Sequence, residues 1–98
     1  MATVFVVIGS TGEYSDRREW FVAGYADQAK AEEHARLASD AAREIFTASE
    51  AVDDSWDYRD TAVNPYDTDA SHMDYTGTHY YVAAVPMLDA VPAPAEVQ

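Results

Sequence analysis

The segment TVFVVIG, Thr3 to Gly9, has no polar side. Its β-branched and aromatic residues favour a strand, and the Gly-Ser-Thr-Gly that closes it, Gly9 to Gly12, reads as a turn with Ser10 and Thr11 as turn residues. Alternation places Val4, Val6 and Ile8 on one face and Phe5 and Val7 on the other, so both faces are apolar and both need cover. Such a strand belongs at the centre of a sheet. The apolar run Val4 to Ile8 is too short for a signal segment or a membrane span and follows no basic stretch, so the chain is expected to be soluble and cytoplasmic, without membrane contact.

The partners of that strand follow in order. RREWFVAGY, Arg17 to Tyr25, reads as a second strand joined to the first by a longer hairpin connection, with Phe21 on one face and Trp20 and Val22 on the other. Gly24 marks a bulge or a close approach. Asp27 is placed as an N-cap, and an alanine-rich helix is expected from there to about Ser49. On a helical wheel Ala31, His34, Ala35, Ala38, Ala42, Ile45 and Phe46 share one side, opposite Glu32, Glu33, Arg36, Asp40, Arg43 and Glu44. His34 sits at the margin of the apolar face and is expected to be packed or hydrogen-bonded. YYVAAVPML, Tyr80 to Leu88, reads as the last strand, with Pro86 confining that end to a sheet edge or ending the strand.

These elements give an α+β fold: a three-stranded antiparallel sheet of order 2-1-3, one amphipathic helix on one face, and a long acidic insertion before the last strand. Residues 1–88 form a single domain, and residues 89–98 are expected to be a mobile tail. Residues 50 to 78 hold no period, yet Trp56, Tyr58, Tyr66, Met73 and Tyr75 argue that the segment drapes on the body, with one helical turn near Ala51 to Tyr58. One helix covers one face of the sheet. The other must be covered by this insertion or by a second copy of the chain, a homodimer through the uncovered sheet face.

Charge narrows the function. The chain has 18 acidic and 6 basic residues, a net of -12. Residues 49 to 98 hold ten of those acids and a single base, Arg59. Such a potential repels nucleic acid and anionic lipid and draws basic partners. The sequence has no cysteine, which excludes disulfides, thiolate metal sites and a cysteine nucleophile. A calcium loop starting at Asp67, Asp69 and Ser71 fails at its sixth position, His72, and at its twelfth, Thr78. Asp53, Asp54 and Asp57 would suit a looser hard-cation site, but adjacent aspartates are more often solvated. His72, Asp74 and His79 meet no recognised zinc spacing, and GSTG lacks the lysine and the following helix of a phosphate cradle. Ser71 beside His72 does not by itself make an activated nucleophile. The reading is a non-enzymatic protein with no cofactor and no metal.

What remains is an acidic surface carrying aromatic anchors: Asp53, Asp54, Trp56, Asp57, Tyr58, Asp60, Tyr66, Asp67, Asp69, Asp74 and Tyr75. Rings beside charges serve affinity and steering together. A partner with a basic surface, such as a nucleic-acid-binding protein, would meet a charge density comparable to that of DNA.

The succession of an apolar strand, GSTGEYSDRREW, an alanine-rich helix, NPYDTD and TGTHYYVAAVPML resembles small uncharacterised acidic proteins of bacteriophages and prophages, over most of residues 3 to 88. GSTGEYSDR is the most specific piece. The resemblance supplies no catalytic residues. It implies a context, the host cytoplasm, in which phage proteins of anti-CRISPR and anti-restriction type blunt host defences, several by mimicking nucleic acid. The same context includes dimeric accessory, structural and regulatory proteins, the first alternative to an inhibitor; a metal-dependent enzyme is the second.

Overall fold

The computed structural model of the chain describes residues 2–12, 17–53, 62–67 and 77–92. Four elements follow in order: β1 (Ala2–Thr11), β2 (Arg18–Tyr25), α1 (Gln28–Ser49) and β3 (Thr78–Met87). The strands form one antiparallel sheet of order β2-β1-β3, which is the α+β arrangement expected, with the doubly apolar strand in the middle.

β1 runs further than its composition suggests. Ser10 and Thr11, read as turn residues, are buried members of the strand, paired with Glu19 and Arg18 on one side and His79 and Thr78 on the other. A central strand finds ladder partners on both edges, so the backbone stays extended until Gly12, whose φ of 86° is the left-handed turn that glycine permits. Gly77 enters β3 in the same conformation, φ 85°, and the Thr11 hydroxyl donates to its carbonyl at 2.8 Å. Gly9 serves a different purpose. A Cβ there would lie 2.5 Å from Cε2 of Trp20, so the indole of β2 lies directly across the glycine.

The register between β1 and β2 shifts between Val7 and Ile8: Val7 faces Ala23 and Ile8 faces Phe21, with Val22 as the extra residue. This bulge leaves Phe21 and Gly24 on the outer face although they are three apart. Gly24 itself is the close approach, since a Cβ there would meet Cγ2 of Val4 at 3.1 Å.

α1 begins where its cap predicts. Oδ1 of Asp27 accepts from the backbone N–H groups of Ala29 at 2.8 Å and Lys30 at 3.4 Å, satisfying donors that the first turn leaves open. Ala31, Ala35, Ala38 and Ala42 are buried against Val7 and Tyr80, with Phe5, Val22, Tyr25, Ile45, Phe46 and Val82 packed around them. Alanine lets the helix lie close to the sheet, and the larger rings close its ends. At its exit the helix tightens, with Ala51 N–H donating to Ala48 O and Val52 N–H to Ser49 O. The rest of the helical turn expected near Ala51 to Tyr58 lies outside the described residues, as do residues 93–98 of the tail; residues 89–92 are exposed. Among the described residues no helix is long and apolar enough to cross a membrane.

Candidate functional site

Only part of the insertion is described, and it begins with a turn. In Asn64-Pro65-Tyr66-Asp67 the N–H of Asp67 donates to Asn64 O at 3.0 Å, and the Asn64 side-chain oxygen accepts from Tyr66 N–H at 2.9 Å. Proline at the second position and asparagine at the first suit this turn locally. The turn is then bolted to the body. Asn64 Nδ2 donates to the carbonyl of Ala38, in the middle of α1, at 2.9 Å. Oδ2 of Asp67 accepts from the Trp20 indole at 2.7 Å and from the Tyr80 hydroxyl at 2.8 Å. Trp20 and Tyr80 meet edge to face with centroids 6.4 Å apart.

Asp67 therefore differs from its reading as a partner-facing carboxylate. It is 4% exposed and its oxygen is spent on two donors from two strands, which makes it a scaffold residue and also withdraws it from any calcium loop. Burial first, and then the hydrogen bond to this carboxylate, push the Tyr80 phenol well above the ordinary tyrosine range. Tyr66 stays at the surface, 40% exposed. Its carbonyl accepts from Nε2 of His34 at 2.7 Å, and because a carbonyl only accepts, that nitrogen carries the hydrogen. In the neutral ring Nδ1 then accepts from the Tyr25 hydroxyl at 2.8 Å. His34 is thus the hydrogen-bonded histidine that its place at the helix margin suggests.

Asp53 is exposed just past the end of α1. Asp54, Trp56, Asp57, Tyr58, Asp60, Asp69, Asp74 and Tyr75 lie outside the described residues, so of the candidate surface the structure describes only Asp53, Tyr66 and Asp67. The end of α1 adds to it. The last turn holds no basic residue, the C-cap is Glu50, and Asp53 follows. A helix C-terminus already carries partial negative charge, and these carboxylates reinforce it where basic residues are the stabilising choice. Further back, Arg36 and Arg43 both pair with Asp40, and Arg17 pairs with Glu19, so these three cations are engaged on carboxylates of their own chain.

The other side of the sheet is different in kind. Val4, Val6 and Ile8 are only half-buried although they belong to the central strand, and beside them Phe21 is 82% exposed. At one end of this face the Tyr81 hydroxyl donates to Glu19 at 2.6 Å; that bond lowers the Glu19 carboxyl and raises the Tyr81 phenol. Ser10 Oγ is buried there with no hydrogen-bond partner among the described residues. Among the described residues no group of three or more His, Cys, Asp or Glu side chains could hold a metal ion; His79 is exposed, in ring contact with Tyr81.

The roles of Trp20 and Tyr80 as clamps for the insertion were missing from the sequence reading, although a proline-bearing turn rich in hydrogen-bonding side chains is the local signal for such an anchor. Compared with known proteins, the chain matches no family model, no curated protein and no solved structure.

Proposed function

We propose that this chain acts by binding rather than by catalysis, as a small acidic inhibitor that occupies the basic surface of a nucleic-acid-binding or defence protein. The observation that carries the reading is the end of α1, where a last turn without any cation runs into Glu50 and Asp53. A helix gains stability from the opposite arrangement, so the carboxylates there work against local stability and toward a concentrated negative potential. The sequence continues that potential through Asp54, Asp57 and Asp60. Partners steered by such a field associate faster and are released by salt. The phage-like context read from the sequence points the same way, toward a host protein in the cytoplasm.

The test is capture from bacterial lysate with the wild-type chain and with a Glu44→Gln, Glu50→Gln, Asp53→Asn triple variant. A nucleic-acid-binding protein retained by the wild type, displaced by added duplex DNA and by high salt, and held less by the variant is the expected result. Retention indifferent to duplex DNA and to the three substitutions would rule the reading out.

A further inference from the structure

Cross-strand register arranges the outer face of the sheet, which no other element packs against among the described residues, in rows. Phe21, Ile8 and Tyr81 lie side by side across β2, β1 and β3, and the next row is Gly24, Val6 and Ala83, followed by Val4 and Val85. The first row is bulky and the second is small. Rows on one face are two residues apart, about 7 Å along β1. Val4 leans its γ-methyl toward Gly24, so the low ground of the second row lies toward Ala83. This face therefore carries a knob, the Phe21 ring at 82% exposure, and a shallow trough beside it.

We infer that the bare face is a dimer interface between two copies of this chain, packed sheet on sheet with the Phe21 row of each lying in the Gly24–Val6–Ala83 row of the other. A two-fold axis requires that residue i touch j while j touches i, and one face bearing both knob and trough meets that condition without any second protein. The rows are free of charged side chains; Glu19 stands at the end of the face, held by Arg17 and Tyr81. An acidic chain can thus bring two copies together without burying a carboxylate in the middle. Three strands about 4.8 Å apart and the five residues from Val4 to Ile8, at about 3.4 Å each, make a patch of roughly 250 Å² in plan on each copy, before its relief is counted. That area is below a standard-size interface and implies a weak, reversible pair, micromolar or looser, rather than a permanent one.

Electrostatics supplies a signature. Two chains of net charge -12 repel at long range, so added salt strengthens this association, the reverse of its effect on a basic partner. The experiment is sedimentation equilibrium of the full chain from about 1 μM to about 200 μM, a range that brackets a micromolar constant, at low and high salt. A monomer–dimer equilibrium tightened by salt is expected. Phe21→Ser should weaken it more than about tenfold, as loss of a central aromatic anchor does, without lowering the melting temperature at dilutions where the chain is monomeric, because the ring is exposed there. Ala83→Glu, which fills the trough with a charge, should do the same, while Glu33→Lys on the helix side should not. A chain that stays monomeric throughout, or a dimer indifferent to both Phe21→Ser and Ala83→Glu, overturns the inference.

Discussion

Replacing Asp67 with alanine removes a single oxygen that serves two donors at once. The Trp20 indole, 2.7 Å away, and the Tyr80 hydroxyl, 2.8 Å away, would both be left without an acceptor. A buried donor stripped of its partner costs about 1–3 kcal/mol. Tyr80 is 7% exposed and bears that cost in full, whereas Trp20 is half-buried and recovers part of it from water. The sum is about 2–4 kcal/mol, out of a total stability of about 5–15 kcal/mol for a domain of this kind. At about 4–8 °C per kcal/mol, the midpoint should fall by at least about 8 °C. Thermal unfolding followed by near-ultraviolet circular dichroism reads the loss, because the two rings that lose their acceptor both contribute to that signal. Asp67→Asn retains an oxygen that can accept from both, so it should cost clearly less. A double-mutant cycle with Trp20→Phe should recover a coupling of about 1 kcal/mol between the positions. If Asp67→Ala melts within about 0.5 kcal/mol of the wild type, the range of an ordinary surface substitution, the clamp contributes nothing and the carboxylate is available to a partner after all.

Gly9→Ala would place a methyl group 2.5 Å from an indole that its bond to Asp67 holds in place, so overpacking should cost about 1–3 kcal/mol in chemical denaturation, and an unchanged midpoint would show that the ring yields freely. Asp27→Ala removes the acceptor for Ala29 and Lys30 and should cost about 1 kcal/mol, while Asp27→Asn should cost almost nothing; equal losses would assign the effect to charge rather than capping. For Tyr80, whose phenol is raised in the folded chain, the unfolded chain gives up its proton near pH ~10 while the folded chain keeps it. Above that pH the folded state binds more protons, so the contribution, full at lower pH, is lost by about 1.4 kcal/mol per pH unit as pH rises. Tyr80→Phe should abolish that part of the slope, and identical alkaline slopes in the two proteins would contradict the shift.

Most of the fold could be read from residues that have one physical use. A strand apolar on both faces has to be central, an aspartate before an alanine-rich amphipathic run has to cap it, and a proline near the end of the last strand has to lie at an edge; β1, α1 and β3 are placed accordingly. Residues with several uses were harder. Serine and threonine between two glycines suit a turn as well as a strand, and only the presence of ladder partners on both edges decides for the strand at Ser10 and Thr11. Asp67 looks like any other aspartate of an acidic run; its burial depends on Trp20 and Tyr80, 47 and 13 residues away, which no local pattern couples to it. The amphipathic period that placed His34 on the margin of α1 worked because neighbouring turns of a helix fix each other's direction. The insertion has no such period, and its chemistry is correspondingly less legible.

Gly12 and Gly77 stand at the same end of the sheet, each in a left-handed conformation and joined by the Thr11 hydroxyl. The β1–β2 connection leaves the sheet at Gly12, and the insertion ahead of β3 rejoins it at Gly77. Strand register up to these joints is settled by the ladders, while Asp67, within the insertion, ties that segment back to Trp20 and Tyr80. The two glycines thus set the chain's direction where it leaves β1 and where it enters β3, so a side chain at either would disturb the path of a whole segment rather than a single contact.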